Sequence, residues 1–267
     1  MTAITAAFTD GWVVTKRNLI KISRIPDLLI FSTIQPIMFV LLFAYVFGGA
    51  IKVPGVNYRE YLMAGIFTQT VAFGSGITAI GLADDLQKGI IDRFRSLPMS
   101  RAAVLIGRTS SDLLNNLLVV LIMVLCGLAV GWRIHTNAFQ AAAGFALLLM
   151  FGYAMSWVAA VIGLSVRSVE VAQSAGLIWM FPLTFLSNAF VASNSLPGWL
   201  QPVADWNPVS SIVLALRDLW GNAPDGLARG AGFPAQHPLL LSVLWVSGVL
   251  VIFMPLAISK YRQAASR

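Results

Sequence analysis

Catalysis needs clustered reactive side chains, and this sequence has few and scatters them. Only 11 acids and two histidines occur in 267 residues. His135 and His237 stand far from one another and in no spacing that would chelate zinc. Asp84 and Asp85 are the single pair of acids that could serve a membrane-embedded transferase. Lys88 and Arg93 alternate with them, which suits a docking surface better than an acid–base site. Gly74-Ser75-Gly76 lacks the lysine of a phosphate loop, and small residues in an apolar run favour close helix approach instead. Cys126 is the sole cysteine, so neither an intrachain disulfide nor a cysteine metal cluster can form. The sequence therefore assigns this chain no catalytic, cofactor-binding or metal residue. If ATP drives it, the ATPase is another chain.

The elements that surround these residues are apolar. The chain is 58% hydrophobic and 11% charged, against roughly 25% charged in a soluble domain. That much apolar surface requires a membrane. The net charge of +7 does not imply nucleic acid, because the basic residues sit at the ends of apolar runs and no recognition motif accompanies them. Six runs, 28–49, 61–83, 109–131, 138–165, 171–192 and 239–259, are each long enough to cross a bilayer as a helix. Five carry no Asp, Glu, Lys or Arg, and the third carries only Asp112, which can pair with Arg108 one turn away or serve as a proton relay. The expectation is an all-α polytopic membrane protein forming one domain over 1–267. Residues 1–27 hold Phe8, Trp12, Leu19 and Ile22 among Lys16, Arg17, Lys21 and Arg24, which reads as an interfacial helix or a basic flank and not as a cleavable signal. Lys52, Arg59, Arg133, Arg217 and Arg229 fall on one side of the expected topology and the other basic residues on the opposite side. The positive-inside rule then places both termini and the 84–108 loop in the cytoplasm.

Residues 84–101 are the most charged part of the chain. As a helix, Leu86, Ile90, Phe94 and Leu97 share one face, and Asp85, Lys88, Asp92 and Arg95 share the other. Leu97-Pro98 stops it. Such an amphipathic helix between two spans suits insertion into a partner. The outer segment 193–238 predicts two short helices in or dipping into the outer leaflet, one near Leu196 to Leu200 and one from Val209 to Trp220 opened by Asn207-Pro208. Trp199, Trp206 and Trp220 suit the membrane interface, and 221–238 reads as loop. Arg217 suggests an inter-helix or headgroup contact. Inside the spans, Gln35, Gln69, Asn115 and Asn188 are candidates to line a pathway, with Thr68, Thr70, Asn116 and Gln173 of the same kind. Hydrogen bonding between helices is the other use of such residues. Pro36 should bend the first span.

Taken together, the order of these features resembles the ABC type-2 exporter permeases, in particular the daunorubicin-resistance-type subfamily of bacterial drug exporters. The residues that carry the likeness are Asp85-Leu86-Gln87-Lys88-Gly89, Arg93-Phe94-Arg95-Ser96-Leu97-Pro98, Trp206-Asn207-Pro208-Val209, Ala215-Leu216-Arg217, Gly221 and Pro36. The resemblance implies a multi-pass bacterial inner-membrane permease that pairs with a second copy or a related permease. It implies two soluble ABC ATPase subunits that hold ATP and Mg and dock on the cytoplasmic face. Leu86, Ile90, Phe94 and Leu97 would then insert into the ATPase, with Lys88, Arg93 and Arg95 at its rim. The turn from Arg167 to Glu170 would be a second contact. Asp85 departs from the glutamate common in the family, which puts its reach to a partner in doubt. The implied cargo is an amphipathic drug-like or lipidic compound. Polysaccharide or lipid-linked glycan export is the alternative. A channel or secondary carrier is disfavoured by the lack of paired charges inside the spans.

Overall fold

The computed structural model describes residues 26–47, 53, 55–90, 101–224 and 232–264. Among them the chain is helical throughout, apart from turns and an isolated bridge between Val53 and Val56. The helices are α1 (Pro26–Leu41), α2 (Tyr58–Gly74), α3 (Gly76–Gln87), α4 (Arg101–Val130), α5 (Ala138–Ser165), α6 (Val169–Phe185), α7 (Gln201–Asp205), α8 (Pro208–Trp220), α9 (Gly232–Gln236) and α10 (Pro238–Ala264). A π-helical turn, Leu42–Phe47, prolongs α1.

Side chains that prefer helix starts set the N-termini. Asn57, Asn137 and Asn207 each accept a backbone N–H just inside α2, α5 and α8, and Ser168 does so for α6. Gly221 ends α8 in the left-handed region at φ 73°, and Asn222 N–H closes the cap on Arg217 O at 2.8 Å. Among the described residues, four helical stretches are long and apolar enough to cross a membrane: Tyr58–Gln87, Val104–Val130, Ala138–Ser165 and Pro238–Gln263.

α5 occupies the centre and touches α2, α3, α4, α6, α8 and α10. Close approach depends on small residues: a Cβ on Gly152 would overlap Val71, and one on Gly163 would overlap the Ala79 carbonyl. At one end of the bundle Phe67, Phe145, Trp132 and Trp220 interlock, with ring centroids 5.0 to 5.4 Å apart for the pairs made by Trp220. At the other end Leu82, Leu105, Trp157 and Tyr261 form a smaller core. A stripe of leucines on α4, including Leu114, Leu118, Leu121, Leu125 and Leu128, is exposed. In a bilayer such a face meets acyl chains at no cost.

Several expectations are corrected. The second apolar run is not one regular helix over 61–83: it starts at Tyr58, tightens at Ser75 where the N–H bonds back to Ala72 O, and continues to Gln87. Asp84 to Gln87 therefore belong to the spanning helix. Gly89 takes φ 63° and its N–H bonds Leu86 O, so no single helix carries Leu86 and Ile90 on one face. The third run begins at Arg101, which places Arg101 and Arg108 on α4 and not in a loop. The fifth ends at Phe185, four residues after Phe181 and three after Pro182, short of the expected 192. In the outer segment the first short helix is α7, just beyond Leu200, and the stretch read as loop contains α9. α8 does not lie on a surface. Nine consecutive residues, Val209 to Arg217, are buried, as is Trp220. Trp199 and Trp206 are exposed as expected. The N-terminal segment 1–25 and residues 91–100 lie outside the described residues.

Candidate functional site

The polar residues inside an apolar bundle fall into two sets. The first surrounds a cavity of about 360 Å³ walled by α1, α2, α3, α4 and α6. Gln35 and Pro36 reach it from α1, Gln69 and Thr70 from α2, Asn115 and Asn116 from α4, and Gln173 from α6. Ile66, Phe39, Phe73, Leu177 and Met180 supply much of the apolar wall. No Asp, Glu, Lys, Arg or His is among the lining residues. The size suits a small organic ligand.

Asn116 is the most confined of the amides. It is 3% exposed, and its Nδ2 has no hydrogen-bond partner. A Cβ on Gly74 would come within 2.6 Å of Asn116 Oδ1, and one on Gly152 within 3.1 Å of Nδ2. Those two glycines make the space in which the amide sits. An unpaired buried N–H₂ is costly unless something fills it. The cavity thus has several amides set in a greasy wall. That combination suits an uncharged polar group on an apolar body.

The second set is a network around Arg217, in which Arg217 Nη1 and Asn188 Oδ1 have no hydrogen-bond partner. This side chain is 0% exposed; the sequence offers an inter-helix or a headgroup contact for it. Its Nε donates to Tyr61 O at 3.0 Å, and Nη2 donates to Asn188 O at 3.0 Å and Ala189 O at 3.1 Å. The guanidinium lies 3.3 Å from the Tyr61 ring centroid. Tyr61 Oη and Tyr58 Oη donate to Asn188 O and Phe190 O. Asn207 joins α8 to the end of α6 by donating Nδ2 to Leu183 O and Leu186 O, both at 2.8 Å. A Cβ on Gly65 would overlap the Ala189 carbonyl. The carbonyls released where α6 unwinds are thus bound by α2 and α8, as irregular backbone at membrane depth requires. Asn188, expected beside the pathway, belongs to this network and not to the cavity. Pro208 opens α8 as its first residue.

The residues expected to dock a partner fall at the Gln87 end. Asp85 is 7% exposed, and Leu86 packs on the smaller core, so both serve the fold. Lys88 is exposed and pairs with Asp84 at 2.8 Å. Gly89 and Ile90 are half-buried. Arg93, Phe94, Arg95, Leu97 and Pro98 lie outside the described residues. Arg167 and Glu170 are exposed nearby, since Gln87 Nε2 donates to Arg167 O at 3.4 Å. The backbone amide at the start of α6 and the Ser168 hydroxyl hold the Glu170 carboxyl below its usual range. Arg108 Nη2 donates to Ile77 O at 3.0 Å, and Asp112 Oδ2 has no hydrogen-bond partner.

The model of the ABC-2 type transporter family matches residues 9–219. The chain belongs to that family. Members similar to it include a daunorubicin resistance ABC transporter permease of Streptomyces coeruleorubidus, 31% identical over 261 residues that cover 98% of this chain and 87% of the relative. A probable doxorubicin resistance ABC transporter permease of Mycobacterium tuberculosis is 27% identical, over 94% of this chain and 88% of its own. A putative transport permease of Cyanophora paradoxa is 24% identical over 79% and 74%. As an ABC-2 family member with four long apolar helices, the chain is a multi-pass membrane transport protein.

Proposed function

We propose that this chain is the permease subunit of an ATP-driven exporter of amphipathic, drug-like or lipidic compounds, and that the amide-lined cavity receives the cargo. The observation that carries the reading is that cavity: uncharged amides and a threonine set in an apolar wall. The resistance permeases among the relatives support the cargo class. In this reading α1, the α2–α3 pair, α4, α5, α6 and α10 are six crossings, and α8 dips between them from the outer side. Both termini and the 88–100 segment face the cytoplasm of a bacterial inner membrane. Two copies, or this chain and a related permease, dock two ABC ATPase subunits that hold ATP and Mg. The exposed Lys88, Arg167 and Glu170 share one end and would meet those subunits along with residues 90–98.

The test is purification from native membranes in mild detergent with mass spectrometry of what accompanies the chain. A soluble ATPase in stoichiometric amount is expected. Phe94→Asp should remove it and abolish cargo-stimulated ATP hydrolysis while leaving the permease in the membrane. Copurification and transport unchanged by that substitution would overturn the docking assignment, and a chain that purifies without any ATPase would overturn the exporter.

A further inference from the structure

Three short polar stripes meet beneath the cavity. On the α2–α3 pair, Gly74, Thr78 and Gly81 follow at steps of four and three. On α4, Arg108, Asp112 and Asn116 follow at steps of four, as do Gly152 and Ser156 on α5. Contacts between the helices fix the register. Asn116 lies against both Gly74 and Gly152, and Arg108 Nη2 lies against Gly81. The Ser156 hydroxyl meets the Asp112 carboxyl. Thr78, between the two glycines of its stripe, therefore stands at the level of Asp112. Asn116 and Ile77 line the cavity, so the stripes begin at its wall and run toward the Gln87 end of the bundle.

The middle level leaves its polar atoms unmatched. Thr78 is 0% exposed and Asp112 6%, and neither Thr78 Oγ1 nor Asp112 Oδ2 has a hydrogen-bond partner. Arg108 Nε is also buried without one. Nε–H and Oδ2 are a complementary donor and acceptor one turn apart on α4, yet Arg108 sends Nη2 across to Ile77 O, at 3.0 Å. An ionised Asp112 in so little water would draw the guanidinium to itself. Ser156 donates its own hydrogen to Gly152 O at 3.1 Å, which leaves its lone pairs toward Asp112. These are the surroundings of a neutral acid, whose Oδ2–H finds an acceptor in the Ser156 or Thr78 hydroxyl and which buries no lone charge.

Among the described residues, Arg108 is the charged group that acts on Asp112. Other titratable groups on the neighbouring helices stand at other levels. Asp84 and Asp85 follow one turn beyond Gly81 on α3, and Tyr153 lies one turn from Ser156 on α5. α10 carries Lys260 and Tyr261, the latter packed with Leu105, two turns from Asp112. α2 has Arg59 and Glu60 at its far end, and the described side chains of α1 carry no charge.

Resting on the exporter reading, we infer that Asp112 is a proton-binding site linked to the cavity. With the proton on Oδ2, Arg108 braces Ile77 and the cavity keeps the form seen here. When the proton leaves to water past the half-buried Arg108, the carboxylate takes the guanidinium, Ile77 O loses its donor, and α3 is freed from α4 at Gly81. Cargo therefore binds the protonated form more tightly, and bound cargo in turn holds the proton. ATP still drives the cycle, and proton loss weakens the hold of the cavity within it.

The test uses the complete transporter, permease with its copurifying ATPase, in lipid vesicles, and reads proton and cargo separately. The proton is followed by the infrared C=O stretch of a carboxylic acid, as the difference between the parent and Asp112→Asn. The pH is raised from about 5 to about 8.5, above the range of an ordinary carboxyl. The parent should show the band at the acid end and lose it within that range. If Asp112→Asn does not reach the membrane, Asp112→Ser serves as the uncharged reference. Cargo is followed by the fluorescence of doxorubicinone, the aglycone of doxorubicin, which has no amine to titrate. The parent should bind it about tenfold more weakly at the alkaline end, with the midpoint of the infrared band. Asp112→Asn should bind as tightly as the protonated parent at every pH and export about tenfold more slowly, because its hold is not released. Arg108→Gln, which can still donate to Ile77 O, should keep the infrared band and lose the pH dependence of binding.

A carboxylate signal for Asp112 throughout the range would overturn the proton site. Binding that titrates in Asp112→Asn as it does in the parent would overturn the link to the cavity, and so would a midpoint that differs from that of the infrared band. A parent that binds no doxorubicinone at any pH would instead remove the cargo reading of the cavity, whatever the infrared band shows.

Discussion

Arg217 and Asn116 are both strongly polar, both almost fully buried, and used in opposite ways. Arg217 gives three hydrogen bonds to carbonyls from two separate segments and covers its face with the Tyr61 ring. Asn116 leaves its Nδ2 without a partner in the wall of a cavity. The first arrangement fixes the backbone where α6 stops, and the second leaves a buried amide beside a cavity. Arg217 Nη1 and Asn188 Oδ1 also lack partners, so the two sites differ in what the polar group holds: unwound backbone in one, a cavity wall in the other.

The largest effect should come from breaking the satisfied side. Arg217→Met keeps the length of the side chain and takes a donor from the Tyr61, Asn188 and Ala189 carbonyls, although Asn188 O keeps its bond from Tyr61 Oη. Each buried unpaired acceptor costs about 1–3 kcal/mol, so the folded protein should largely disappear from detergent extracts. Arg217→Lys should rescue little, because an ammonium cannot reproduce the planar fork that meets two carbonyls with one nitrogen while stacking on a ring. Thermal unfolding followed by size-exclusion chromatography reads both. A stable Arg217→Met protein would mean that the network is incidental.

Asn207→Ala tests the same region at smaller scale. It removes a helix cap, costing about 1 kcal/mol, together with the two bonds to Leu183 O and Leu186 O. A measurable drop in melting temperature is expected, smaller than that of Arg217→Met, with transport reduced in proportion to the protein that remains folded. Transport lost without any loss of stability would move Asn207 to the functional side of the comparison.

Much of this arrangement was open to a reader of the sequence, and the parts that were not have identifiable causes. The 138–165 span matches α5 to the residue, because Asn137 caps one end and a polar turn closes the other. Gln35, Gln69 and Asn115 stood out as uncharged polar groups in apolar runs, and the fold gathers all three at one cavity. Asn188 misled because hydropathy continues past Phe185 although the helix does not. α8 misled because a short helix with Arg217 and Asp218 reads as interfacial, whereas tertiary carbonyls pay for the arginine's burial. The Phe43–Phe190 contact joins positions 147 residues apart, and no local period reports such a pair. The charged stretch after α3 read as one helix because side-chain periodicity carries no information about the left-handed turn that Gly89 introduces.

The subtlest prediction lies on the unsatisfied side. Asn116→Leu removes a buried amide whose Nδ2 has no partner, and replaces it with a side chain of similar size. Removing an unpaired donor relieves a desolvation cost of about 1–3 kcal/mol, so the melting temperature should hold or rise, unlike that of any variant in the Arg217 network. The same change removes one of the amides from the cavity wall, worth about 1 kcal/mol if the cargo bonds to it. Binding of doxorubicin to the purified permease, followed by its fluorescence, should weaken by several-fold to about tenfold. A variant that is both more stable and a poorer binder is what a group held ready for a ligand produces. A variant that loses stability while binding normally would place Asn116 with Arg217, as part of the scaffold.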